Sequence, residues 1–155
     1  EVCGYRMKAK SLEELKAFVR ASTRPFVVKG VLSRQDARKC LEAGVQGIVV
    51  SHHHGIMDYA VPPLRILPQI AEEIGGRIPI FLDCCVESGA DVFKALALGA
   101  TAVCVGRAVM GPLGEKGAAG VEEKLEEITG QLAGFMARTC CADLSSIDAS
   151  LIWKP

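Results

Sequence analysis

Four short runs of unbroken apolar residues punctuate this chain: Phe26-Val27-Val28, Ile48-Val49-Val50, Ile78 to Leu82, and Ala102 to Val105. None alternates with polar residues. Continuous, β-branched runs of this length are what strands covered on both faces of a parallel sheet require. With their flanking residues they predict strands over 25–30, 46–51, 77–83 and 101–106. The segments between carry helix punctuation. Ser11 with Glu14 makes a capping box for a helix over 12–21. Ser33 caps a second that runs to Ala43 and stops at Gly44, and Ser88 caps another that runs to Leu98 and stops at Gly99. Pro62-Pro63 opens a helix over 64–74. A long helix over 121–138 closes the pattern before a tail that ends near Trp153.

The order is therefore a leading helix in 1–22, four β/α units in 25–139, and a tail in 140–155. Such a series is α/β, either a doubly wound sheet or part of a barrel. The polar residues at the strand ends favour the barrel. The strands finish in Lys29, in Ser51 with three histidines, in Asp83, and in Gly106-Arg107. Chemistry converging from every strand end onto one face is how a (β/α) barrel builds its site. An open sheet concentrates it at one switch point. No G-x-G-x-x-G follows any strand, so a dinucleotide fingerprint is absent. A full barrel takes eight units and about 250 residues. Four units make half.

Composition narrows the possibilities. The 18 basic and 18 acidic residues among 155 cancel, which removes an electrostatic case for nucleic acid or an anionic membrane. No run of ~18 apolar residues occurs, so no bilayer-spanning helix is expected. The seven cysteines are an odd number with two adjacent pairs, Cys84-Cys85 and Cys140-Cys141, and no C-x-x-C spacing. That pattern fits reduced thiols in a cytoplasmic protein rather than a disulfide framework or zinc site.

The histidine triplet, His52 to His54, is the most pointed feature. Flanked by an apolar run and Gly55, it lies inside the fold and is no terminal tag. Neighbours on an extended chain point to opposite sides, so the three cannot all face one ion. Two ligands do not close a zinc site. No metal is assigned, and one imidazole facing the barrel mouth as a general base is the expectation.

The order VVKG, GIVVSHHHG, IFLDCCVESGADVFKALALGA and VCVGRAVMGPL closely resembles the C-terminal half of the FMN-dependent 2-hydroxy-acid dehydrogenases and oxidases, the family of glycolate and lactate oxidases. The resemblance covers roughly residues 25–148 and implies a TIM barrel holding FMN at the carboxyl ends of its strands. It places Lys29 beside the flavin. It sets Ser51 and His53 on the family's S-N-H-G-x-R, with His53 as catalytic base, His52 for asparagine, His54 for glycine, and Ile56 for the arginine that clamps the substrate carboxylate. The family's D-G-G-x-R is met by Asp83, Cys84, Cys85, Val86 and Glu87, and its final G-R by Gly106 and Arg107.

The resemblance implies that His53 takes a proton from a small 2-hydroxy acid as two electrons pass to the flavin. Lys29 would stabilise the reduced flavin, and Ser51, Asp83, Cys84, Cys85, Gly106 and Arg107 would line the cofactor site. Glu87 is expected to repel the phosphate unless it turns to solvent. Two alternatives stay open: a flavin-dependent isomerase on the same barrel, and a flavin- or phosphate-binding module without catalysis. Unpaired edges are poorly tolerated. A complementary N-terminal half is therefore the expected partner, with homo-oligomers of the assembled barrel.

Overall fold

The computed structural model describes residues 8–53, 55–56 and 58–153. Four parallel strands, β1 (Val27–Val31), β2 (Gly47–Val50), β3 (Ile80–Leu82) and β4 (Ala102–Val103), form one sheet in the order β1-β2-β3-β4. Helices α1 (Leu12–Ala21), α2 (Arg34–Ala43), α3 (Pro63–Ile74) and α4 (Gly89–Ala97) precede, join and follow the first three strands. Helices α5 (Met110–Lys116) and α6 (Ala118–Arg138) close the chain, with single 3-10 turns at 107–109, 144–146 and 149–151.

The caps are those the sequence predicts. Ser11 Oγ accepts from the Glu14 backbone N–H while Glu14 Oε2 accepts from Ser11. Ser88 and Asp91 repeat the exchange at α4, and Ser33 caps α2 from Oγ. Each replaces an orphan N–H contact to water in a first turn.

The strand order decides how the layers lie. Right-handed crossovers along an order that never reverses deliver every connecting helix to the same face. In register, Val28 stands beside Ile48 and Ile48 beside Ile80, with Val50 beside Leu82 two residues on. These residues point toward α2, α3 and α4. Ile48, Val50, Ile80 and Leu82 are buried there with Ala37, Leu67, Ile70 and Ala95. The alternate residues line up on the other face: Lys29 beside Val49, Val49 beside Phe81, and Phe81 beside Ala102. No described helix covers them. Val27 on this face is 43% exposed, and Lys29 and Cys104 are exposed as well.

β3 and β4 are shorter than their apolar runs, Ile78 to Leu82 and Ala102 to Val105. β3 begins after Pro79, which has no N–H to give, although its carbonyl accepts from Ile48. β4 spans two residues, yet Thr101 N–H reaches Ile80 O at 2.7 Å and Cys104 N–H reaches Leu82 O at 2.8 Å, so pairing continues past both ends. β1 gains Val31 through a bulge at Gly30, whose φ of +100° suits glycine.

Helix α5 is the element the pattern hides. Its Met-Gly-Pro-Leu-Gly-Glu-Lys reads as a loop, but Pro112 sits in the first turn, where no N–H is needed. α6 then starts at Ala118, three residues before the apolar periodicity suggests. The two helices touch closely: a Cβ on Gly120 would lie 2.2 Å from the Pro112 carbonyl oxygen. α6 folds back along α4 around a second cluster of Phe93, Ala97, Cys141 and Ile147. Gly89 lets the two helices meet, since a Cβ there would stand 2.3 Å from the Leu132 nitrogen. Among the described residues, no helix is long and apolar enough to cross a membrane.

Candidate functional site

Strand geometry sends the carboxyl ends of β1, β2, β3 and β4 to one rim, and side chains there are joined by hydrogen bonds. Lys29 Nζ, on the uncovered face of β1, donates to Asp83 Oδ2 just after β3. The Cys84 thiol donates to Asp83 Oδ1 at 2.9 Å and lies 3.6 Å from Ser51 Oγ. Ser51, the buried polar residue at the end of β2, accepts from the His53 backbone N–H at 3.1 Å. Burial alone would raise the Asp83 carboxyl. Hydrogen bonds from Cys84, Lys29 and Ser51 and the Lys29 charge outweigh it and hold Asp83 below its ordinary value.

The histidine segment is not extended. His53 has φ +51°, a left-handed turn closed by the Ser51 hydroxyl. The alternation expected from an extended chain is therefore corrected: His52 and His53 are separated by this turn instead of by strand pleating. His52 Nδ1 accepts from the Gly55 N–H at 3.0 Å. His54 lies outside the described residues. Among those described, no three His, Cys, Asp or Glu side chains gather where an ion could be held. Ile56 is 71% exposed on the same loop.

A similar backbone solution follows β3. Cys84 and Cys85 have φ of +75° and +56°, the left-handed region that glycine enters freely and other residues enter at a cost. These are the positions at which the family pattern has glycines. Both cysteines take the backbone conformation that glycine favours.

One cavity of about 200 Å³ collects most of the sequence-predicted residues: Lys29, His53, Asp83, Cys84, Cys85, Gly106 and Arg107 all line it. Ser51 does not, and supports the rim from beneath. Glu87 lines the cavity too, exposed but not withdrawn from it. Cys104 also lines it, a residue the sequence reading passed over. The register of Ala102 with Phe81 puts Cys104, two residues on, on the Lys29 face. Burial pushes the Cys104 thiol up, Asp83 adds to that, and Lys29 opposes it.

The donors suit a phosphate-bearing ligand. Arg107 offers a planar fork, and nothing stands within 4 Å of the Cβ position of Gly106, so an anion has open access to its backbone. Lys29 lines the same cavity, its ammonium paired with Asp83. Glu87 is the one lining group that opposes the fit besides Asp83, which is already matched by Lys29.

A family model described as FMN-dependent dehydrogenase matches residues 2–154. The chain is 43% identical over 124 residues to peroxisomal (S)-2-hydroxyacid oxidase GLO3 of Arabidopsis thaliana, covering 79% of this chain and 34% of that protein. It is 39% identical over 145 residues to 2-hydroxyacid oxidase 1 of Homo sapiens, covering 93% of this chain and 39% of that one. Among solved structures, mandelate oxidase with (S)-4-hydroxymandelic acid is similar at a TM-score of 0.84 and 37% identity, over 89% of this chain and 39% of that one. The chain thus spans well under half the length of these relatives.

Proposed function

The chain belongs to the FMN-dependent dehydrogenase family, and from that premise we propose that it is the C-terminal half of a (β/α)8 barrel that oxidises a small 2-hydroxy acid. One observation carries this reading: Lys29, His53 and Arg107, from three different strand ends, line a single cavity. The uncovered sheet face and the open edges of β1 and β4 support a barrel interior to be completed by an N-terminal half. Residues 1–22, 25–139 and 140–155 are then a leading helix, four β/α units and a tail of one shared domain.

FMN, when bound, supplies the two-electron acceptor. His53 takes the proton from the substrate hydroxyl or α-carbon as general base. Its backbone N–H is fixed by Ser51, which sets where the ring emerges. Lys29, held at the rim by Asp83, brings positive charge to the place where negative charge builds up on reduction. Gly106 and Arg107 would hold the phosphate, in the cavity that Cys84 and Cys85 also line. The reading also includes a homo-oligomer, supported by exposed Met110, Leu113 and Leu125 on α5 and α6. Cysteine usage supports a thiol-preserving compartment. We read that compartment as the cytoplasm, and the name of the Arabidopsis relative offers the peroxisome as the other.

The deciding experiment is anaerobic. A 2-hydroxy acid added to the flavin-loaded protein should bleach the visible flavin absorbance in a single turnover. Bound flavin that keeps its colour with every 2-hydroxy acid offered would remove the oxidoreductase reading and leave a binding module.

A further inference from the structure

His53 stands between two cavities. One is the charged cavity described above. The second, about 260 Å³, is walled by Lys29, Gly30, Ser51, His52, His53 and Ile56. Its polar side chains other than the His53 ring already have hydrogen-bond partners. Ser51 Oγ accepts from the His53 N–H, and the Lys29 ammonium turns to Asp83. His52 Nδ1 accepts from the Gly55 N–H, so the ring is turned to the loop backbone. Between Ser51 and Pro63 the chain has no lysine or arginine, and its one formal charge there is the exposed Asp58.

A carboxylate pressed into this wall would lose its hydration without meeting an unengaged cation. A hydrocarbon group would gain roughly 25 cal/mol for each Å² it buries. The space is ample, since an apolar cavity of about 150 Å³ already holds a benzene ring.

We propose that the second cavity receives the substrate's carbon chain, and that the site prefers 2-hydroxy acids with branched aliphatic or aryl substituents, Ile56 setting the preference. This rests on the oxidoreductase reading above and names its substrate class. The charged end of the substrate then faces away from this apolar wall, and Arg107 stays with the phosphate. Ile56 supplies apolar surface in the same cavity as the base.

The test compares glycolate, lactate, 2-hydroxy-4-methylpentanoate and mandelate on the flavin-loaded holoprotein. kcat/KM should rise by about tenfold or more from lactate to the branched and aryl acids, within the range one pocket can discriminate. Ile56→Asp should collapse the branched-to-lactate ratio by at least about tenfold, mainly through KM, and Ile56→Val should keep it. Because Ile56 is exposed, both variants should melt like the parent. Preference for glycolate or lactate would overturn the inference while leaving the oxidoreductase reading intact. An unchanged ratio in Ile56→Asp would overturn it as well. Failure of every acid to bleach the flavin would sink both together.

Discussion

Lys29 and Asp83, separated by 54 positions in the chain, form an ion pair that ties the end of β1 to the end of β3 across β2. The Asp83 carboxyl is held below its ordinary value of 3.8 by this pair and by the Cys84 and Ser51 hydrogen bonds that together outweigh its burial. A depressed carboxyl contributes stability above its unfolded value and loses it as pH falls through the folded one. Asp83→Asn should therefore lower stability near neutral pH by about 1 kcal/mol, a figure discounted because Lys29 is half-exposed. The difference should shrink as pH drops below 3.8, and thermal melts of both proteins from pH 7 to pH 3 will check it.

The turn after β3 carries strain that glycine would relieve. Cys85→Gly should stabilise the fold by about 1 kcal/mol, since a left-handed residue with a Cβ costs roughly that much. Cys84→Gly should gain too, offset by loss of the thiol bonded to Asp83. Urea midpoints at constant slope will read both changes. A loss of stability in Cys85→Gly would contradict this account of the turn.

His53→Ala should leave flavin bound and slow its reduction by about 10²- to 10⁴-fold, the usual loss when a general base is removed. His52→Ala should be milder, since that ring closes the Gly55 turn instead of lining the charged cavity. Stopped-flow bleaching with a 2-hydroxy acid separates the two. Equal losses restored by added zinc would replace the base with a metal site.

Arg107→Ala should weaken FMN by about 1.5–3 kcal/mol, the contribution of a charge-assisted contact, and hardly affect riboflavin. Glu87→Arg should tighten FMN, because it turns the opposing charge on the cavity wall into a matching one. Flavin fluorescence titrations with both ligands read these effects directly. Equal losses for FMN and riboflavin would take the phosphate away from Arg107.

Short-range chemistry made much of this legible in advance. Caps at Ser11, Ser33 and Ser88 declare three helices by side chains that bond within four residues. Four apolar runs declare four strands, and the polar residue ending each one foretold the rim. What stayed hidden depends on conformation or distance. The left-handed turns at His53, Cys84 and Cys85 carry no glycine to announce them. The glycines and proline of α5 resemble a loop until Pro112 is seen to occupy a first turn. Cys104 sits in a run with no alternation, so its face is settled only by register with β3. No local pattern pairs Lys29 with Asp83.

The one-sided winding of the sheet has a practical corollary. β1 and β4 are seams, each a parallel ladder with one partner in place and one open side. Closing a cylinder from such a piece takes only two new ladders, whichever polypeptide supplies them. The polar machinery at the rim belongs to strands whose mutual register is already set within the piece. Joining another segment in trans would therefore add walls around that chemistry without having to align it. Protein-fragment complementation, with the two portions expressed as separate genes, becomes a reasonable engineering route to a split flavoenzyme whose activity reports on their encounter.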